Sequence, residues 1–160
     1  MRRRTALPAA FACLIAVAAL AQAAPYPREV EAVLADARKE CRDEGGSEVK
    51  FPDTAVRKLD LTGDGRGDYI VDMNEAECVG SPAVYCGTGG CNFTILVARR
   101  DGSYKTVFDD RVRGYEIKGG RGARTIRFAL HGSYCGGHGN PSCYRERRVT
   151  GKPFRFAMPQ

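Results

Sequence analysis

The sequence predicts an α+β protein in which one N-terminal helix packs on a largely antiparallel sheet of about six strands, with disulfides as cross-links. Apolar residues recur at helical spacing only within residues 26–44. From there to the end of the chain, apolar and polar residues alternate in short runs separated by glycine-rich turns. One helix followed by successive hairpins is typical of the α+β class.

The first residues have the pattern of an export signal. Residues 2–4 are basic, residues 11–20 are uninterruptedly apolar, and residues 21–23 place small side chains where a signal peptidase reads them. The apolar run is shorter than the roughly 20 residues of a membrane-spanning helix. We therefore expect a signal peptide over residues 1–23, a single domain over residues 24–160, no membrane span after processing, and a periplasmic or secreted protein.

Charge is unevenly distributed along the predicted mature chain. Loss of three leader arginines from the 25 basic residues leaves 22 against 19 acidic ones, so the net charge falls from +6 to +3. Residues 24–98 hold 8 basic and 14 acidic side chains, whereas residues 99–160 hold 14 basic and 5 acidic ones. This asymmetry indicates either an anionic partner for the C-terminal part or mutual attraction between two halves of one sheet.

Six cysteines remain once the leader is removed. An even number in an exported chain predicts three disulfides, because oxidising compartments preserve them. The sequence leaves their connectivity open. The predicted disulfide cysteines are Cys41, Cys78, Cys86, Cys91, Cys135 and Cys143.

The helix is predicted over residues 26–44. Pro27 suits a first-turn position, and Glu29 and Glu31 suit the positive end of the helix dipole. Paired glycines at 45–46 end it. Its apolar stripe places Cys41 toward the core, where a disulfide would pin the helix to the sheet. That stripe consists of Val30, Val33, Leu34, Ala37 and Cys41.

The rest of the chain has the period of strands. An irregular connection is expected over residues 74–90, a hairpin turn at Asp101-Gly102, and a cover for a sheet edge from Phe154 and Phe156. The predicted strands are residues 56–61, 69–73, 93–97, 104–108, 114–118, 126–130 and 144–150.

The acidic loop, residues 60–68, places oxygen-bearing side chains at alternate positions. Gly65 allows a sharp bend at position six, as a calcium loop requires. An EF-hand is excluded, because position twelve is Val71 and no helices flank the loop. The predicted ligands are Asp60, Thr62, Asp64, the Arg66 carbonyl and Asp68.

The pattern D-x-[DNT]-x-D-G-x-x-D between two strands resembles the calcium-binding hairpin loop of FG-GAP and VCBS-type repeats. The resemblance implies that the alternate residues and Asp68 bind calcium. Those families build propellers from several copies, whereas this chain has one, so their fold is not carried over. The whole chain, with its Gly-Asp-Tyr-Ile-Val-Asp run at 67–72, also resembles small exported bacterial proteins. We expect a weak, structural calcium site, since Thr62 lowers the ligand charge.

Two histidines, His131 and His138, limit acid–base chemistry. Cys135 and His138 have a spacing that could serve zinc, but a Cys135–Cys143 disulfide closing a glycine-rich loop is favoured in an exported chain. Carboxylates for glycan cleavage could come from Asp72, Glu75, Glu77, Asp109 and Asp110, whose spacing is that of ordinary surface acids.

The sequence therefore predicts a non-catalytic exported protein with a binding or structural role. Its expected partner is an anionic envelope polymer or another exported protein, and nucleic acid is not expected. One alternative is a cell-envelope hydrolase that uses carboxylates with His131 or His138. A second alternative is an inhibitor of lytic enzymes, by analogy with other small cystine-rich exported domains.

Overall fold

The computed structural model describes residues 25–120, 122–139 and 141–159. The predicted signal peptide lies outside them. Helix α1 spans Arg28–Asp43 and buries the predicted stripe, with Val33 half-buried beside it. Pro27 immediately precedes the first helical residue, and Gly45 ends the helix with a φ of 82°. No helix among these residues has the length and apolar character needed to cross a membrane.

The described strands form three antiparallel sheets of five, three and two strands, so the prediction of one sheet was too simple. The strands are β1 (Val49–Lys50), β2 (Val56–Leu59), β3 (Asp68–Asp72), β4 (Glu77–Cys78), β5 (Cys86–Gly87), β6 (Gly90–Ala98), β7 (Tyr104–Val112), β8 (Gly114–Lys118), β9 (Thr125–Leu130) and β10 (Cys143–Arg148). The five-stranded sheet pairs β2 with β3, β3 with β6, and β6 with both β5 and β7. The three-stranded sheet has the order β10-β9-β8, and β1 pairs with β4.

The five-stranded sheet carries a hydrophobic cluster on each face, because successive side chains of a strand point to opposite sides. One cluster joins α1 to Tyr69, Val71 and Leu96. The other contains Ile70 and the alternating β6 side chains, and packs against Ile126, Phe128 and Leu130 of β9. A register shift between Ile95 and Leu96 marks a bulge in the β6–β7 ladder. The architecture therefore has three layers: helix α1, the five-stranded sheet (the large sheet) and the three-stranded sheet (the small sheet).

Three disulfides cross-link the described chain, as predicted. Cys41–Cys78 joins the end of α1 to β4, with the Cα atoms 5.7 Å apart. Cys86–Cys91 closes the β5–β6 turn, and Cys135–Cys143 closes the loop before β10. Three such bridges are compatible with a protein of an oxidising compartment.

The C-terminal segment, residues 151–159, has no regular secondary structure, yet it packs against the sheets. The Phe154 amide donates to the Val107 carbonyl of β7 at 2.8 Å. The Phe154 and Phe156 rings lie against Phe108 and Phe128 in the cluster between the sheets. The predicted cover of a sheet edge is thus found at β7, and it also closes one end of the second cluster.

Candidate functional site

The acidic loop is folded around its own backbone amides. Asp60 Oδ1 accepts from the amides of Gly63 and Asp64 at 2.6 and 3.2 Å, and Oδ2 accepts from Gly65 at 2.9 Å. The Gly65 amide above all, with those of Gly63 and Asp64, holds the pKa of Asp60 below its usual value. Asp60 therefore stabilises the bend as a carboxylate.

Asp68, the last predicted ligand, is fully buried. Its Oδ2 accepts from the amides of Leu61 and Thr62 at 2.8 and 3.0 Å, and its Oδ1 accepts from Ala98 at 2.9 Å. Both oxygens are thus hydrogen-bonded to backbone that belongs partly to β6. This carboxylate fastens the acidic loop to the large sheet.

Asp64 and Thr62 face different surroundings. Asp64 Oδ1 accepts the Arg66 amide at 2.9 Å, and Oδ2 forms an ion pair with the Arg66 guanidinium. Thr62 Oγ1 is buried and has no hydrogen-bond partner in the part of the chain that the structure describes. No group of three or more histidine, cysteine, aspartate or glutamate side chains is arranged around a metal position within these residues.

The acidic loop also docks against the turn between β8 and β9. The Arg124 amide donates to the Leu61 carbonyl at 2.7 Å, and Arg124 Nε donates to the Asp60 carbonyl at 2.9 Å. A Cβ at Gly63 would collide with the backbone of Gly122 and Ala123. The loop therefore connects the two larger sheets, whether or not it holds a cation.

A basic groove, the second feature of interest, runs between β10 and the C-terminal segment. Its cavity measures about 610 Å³. Among the described residues, no carboxylate lies within ion-pair distance of its three guanidinium groups. One of them, Arg145, donates to the Tyr134 carbonyl at 2.9 Å. The groove is lined by Tyr144, Arg145, Glu146, Arg147, Arg155, Phe156 and Ala157.

The register of the small sheet explains why Arg145 and Arg147 have no carboxylate partner among the described residues. Arg145 and Arg147 lie opposite Phe128 and Ile126, on the face that carries the core. On the opposite face the charges neutralise one another: Lys118 binds Glu146 at 2.6 Å, and Arg127 lies 3.7 Å from Glu116. The two faces of the small sheet therefore differ: one carries ion pairs within the C-terminal part, and the other carries arginines without a carboxylate partner among the described residues.

The two histidines lie near the Cys135–Cys143 loop. His131 Nδ1 lies 2.8 Å from the Ser133 hydroxyl and caps the short 3-10 helix Gly132–Cys135. His138 is exposed. Because Cys135 is bonded to Cys143, its sulfur is not available to zinc, and the favoured disulfide is confirmed.

The five candidate carboxylates have different surroundings. Glu77 pairs with Lys50 at 3.2 Å, Asp109 accepts from Thr94 at 3.0 Å, and Asp110 accepts from the Tyr134 hydroxyl at 3.2 Å. Asp72 and Glu75 both line the same two neighbouring cavities, together with Tyr115.

Sequence reasoning did not single out the basic groove, nor the cleft at Asp72. The available signal was the alternation Arg145-Glu146-Arg147, whose odd positions had to share one face of a strand.

Comparison of the chain with known protein families, with curated proteins and with solved structures finds no match.

Proposed function

We propose that the protein is an exported, non-catalytic binding protein whose basic groove holds a polyanion of the cell envelope. The observation that carries this proposal is the set of three guanidinium groups of Arg145, Arg147 and Arg155, which line one groove without a carboxylate partner among the described residues. Guanidinium groups bind phosphate and carboxylate oxygens through two parallel hydrogen bonds.

The shape of the groove suits an extended ligand. β10 is an edge strand whose residues after Cys143 up to Arg148 are exposed, so a polymer can run along it. Tyr144 is 55% exposed at one side, and Phe156 lies under Arg147, whose Cζ is 5.9 Å from the ring centre. Aromatic rings beside arginines supply apolar contact for the uncharged parts of a polymer.

The test measures binding of polyphosphate and of poly-L-glutamate by isothermal titration calorimetry. The triple variant R145Q/R147Q/R155Q should lose at least about tenfold in affinity, since each charge-assisted hydrogen bond contributes about 1.5–3 kcal/mol when fully formed and less at an exposed site. Wild-type binding should also weaken as salt rises, because exposed charges are screened.

The matched control is R28Q/R99Q/R100Q, which removes the same charge from exposed positions on other elements. It should bind almost as wild type does. Equal losses of affinity in the two triple variants would indicate attraction by net charge alone and would contradict binding in the groove. If neither polyanion binds to the wild-type protein, the proposal of a polyanionic ligand is wrong.

We also propose that the acidic loop binds calcium as a structural ion. The support is Thr62 Oγ1, which is buried and has no hydrogen-bond partner among the described residues. In the sequence, Thr62 stands between the acidic residues Asp60 and Asp64. Asp68 orients the loop by accepting hydrogen bonds from the backbone amides of Leu61, Thr62 and Ala98. The groups that would hold the ion are the side chains of Asp60, Thr62 and Asp64 and the Arg66 carbonyl. Oxygen ligands of this kind suit a hard cation.

The calcium proposal is tested by melting curves in calcium and in chelator. Calcium should raise the melting temperature of the wild type, and Asp64→Ala should abolish the difference. The control Asp53→Ala changes an exposed aspartate outside the loop and should keep it. Coincident wild-type curves would refute calcium binding without affecting the groove.

A further inference from the structure

A second cavity lies where the two larger sheets part. β2 is an edge strand of the large sheet and β8 is an edge strand of the small one. Arg57 of β2 bridges them by donating from Nη1 to the Tyr115 hydroxyl of β8 at 3.1 Å. The cavity that these two residues line measures about 510 Å³, within the roughly 300–1,000 Å³ of ligand pockets. It is lined by Thr54, Arg57, Asp72, Glu75, Tyr115 and Ile117.

Asp72 is the one buried residue among those that line this cleft. It is only 7% exposed, although its side chain is ionisable, and it also lines a smaller adjoining cavity of about 210 Å³. Its Oδ1 accepts from the Asn74 amide at 3.0 Å. Burial raises the pKa of the Asp72 carboxyl and Glu75 adds to the rise, while the Asn74 amide and Arg57 oppose it. A buried carboxyl group costs stability unless hydrogen bonds compensate for it, and Asp72 Oδ2 accepts none from the described residues.

The polar groups of the cleft are mixed in kind. Arg57 and Thr54 donate, Asp72 and Glu75 accept, and the Tyr115 hydroxyl can donate because it already accepts from Arg57. Two carboxylates repel an anion, and the Arg57 guanidinium offsets part of their attraction for a cation. The mixture of donors and acceptors suits an uncharged ligand with several hydroxyl groups, each of which donates and accepts.

The apolar wall of the cleft supports the same ligand. The Tyr115 ring is fixed by Phe93, with ring centres 4.5 Å apart, and Ile117 lies on the same face of β8. A pyranose ring presents carbon–hydrogen faces to such a wall and hydroxyl groups around its edge. We propose that the cleft between β2 and β8 binds a neutral carbohydrate, with Asp72, Glu75 and Arg57 holding its hydroxyl groups and Tyr115 and Ile117 its apolar face.

This site is independent of the basic groove, and the test uses that independence. Maltotriose, cellotriose and triacetylchitotriose are each titrated into the isotopically labelled protein, and amide chemical shifts are followed by nuclear magnetic resonance. At least one sugar should bind at millimolar concentration or below, and the shifts should centre on Asp72, Asn74 and Tyr115. The groove variant R145Q/R147Q/R155Q should bind it equally well.

Two exposed cleft positions provide variants that should fold. Arg57→Gln and Glu75→Gln should each weaken sugar binding about tenfold. Lys58→Gln and Glu77→Gln are the matched controls, because each is exposed, lies near its counterpart in the chain and does not line the cleft. Failure of all three sugars to bind, or binding that neither cleft variant changes, would overturn the proposal. Preferential binding of a free amino acid at these residues would also overturn it.

Discussion

Asp68 shows how a side chain that fits a calcium motif can have a structural task. Its carboxylate is completely buried and accepts three backbone amides, two from the acidic loop and one from Ala98 of β6. Leu61 and Thr62 would otherwise leave their amides unpaired inside the protein. The same burial keeps the Asp68 carboxylate from reaching an external partner.

Asp68→Asn should therefore destabilise the protein even without metal. An asparagine offers one acceptor oxygen and places an amino group against a backbone amide, so at least one buried donor loses its partner. The expected loss is about 1–3 kcal/mol for each unsatisfied amide. Urea denaturation in the presence of chelator measures it.

The exposed Asp53 provides the control, since Asp53→Asn should change the free energy of unfolding little. If the loss for Asp68→Asn is present only in calcium, Asp68 acts as a metal ligand and its amide bonds are of little consequence.

The oxygen positions of the acidic loop could be predicted from the sequence, but their targets could not. The alternation Asp60, Thr62, Asp64 follows from the local motif, and Gly65, with a φ of 83°, makes the bend it requires. The Ala98 amide that Asp68 accepts lies 30 residues away and is brought there only by β3–β6 pairing. A side chain's partner across a sheet depends on register, which the loop sequence does not contain.

At the level of elements, the end of α1 depends on the Cys41–Cys78 bridge and on the residue beside it. The Gly46 amide donates to the Cys41 carbonyl at 2.8 Å, so the chain leaves the helix directly across the disulfide. A Cβ at Gly46 would collide with both sulfur atoms and with that carbonyl. Gly46 is thus required by space, whereas Gly45 is required by its positive φ.

Gly46→Ala should lower the stability of the oxidised protein, because either the helix end or the bridge must move. A cost of about 1–3 kcal/mol is typical of overpacking. In the C41A/C78A background the collision with sulfur disappears and only the contact with the carbonyl of residue 41 remains, so the same substitution should cost less. Thermal denaturation of the four variants gives this double-mutant cycle.

Gly151→Ala is the control, since no atom lies within 4 Å of its Cβ position. An equal cost of Gly46→Ala with and without the bridge would show that the disulfide is not the obstacle. The C41A/C78A variant itself should lose about 4 kcal/mol in the chain-entropy account of a bridge with a sequence separation of 37.

The elements themselves were predicted with unequal success. The helix and its buried stripe were found because the 3.6-residue period runs through four turns, and the cysteine count gave three bridges. The two-residue strands β1, β4 and β5 were missed, since two residues cannot show a period. The division into sheets was missed because β7 pairs with β6 while β8, which begins directly after Arg113, pairs with β9. Such pairing is non-local and leaves no signal in the sequence of the two strands.

For the whole molecule, the large sheet belongs to both hydrophobic clusters, and the C-terminal segment completes one of them. The helix covers one face, while β9 and the rings of Phe154 and Phe156 cover the other. The segment also supplies Arg155 to the basic groove. The core and the proposed polyanion site therefore share a wall, and loosening that wall should affect both.

F154A/F156A tests this coupling. Each ring is half-buried, so each should contribute about 2 kcal/mol, less than the roughly 3–5 kcal/mol of a fully buried phenylalanine. Without these anchors the segment should detach from β7 and carry Arg155 away from Arg145 and Arg147. We therefore expect a lower urea midpoint and weaker polyphosphate binding, although every arginine is retained. Met158→Ala alters the same segment at a side chain that is 60% exposed, and should change neither property. Polyphosphate affinity that survives F154A/F156A unchanged would show that the groove does not need the segment to be anchored.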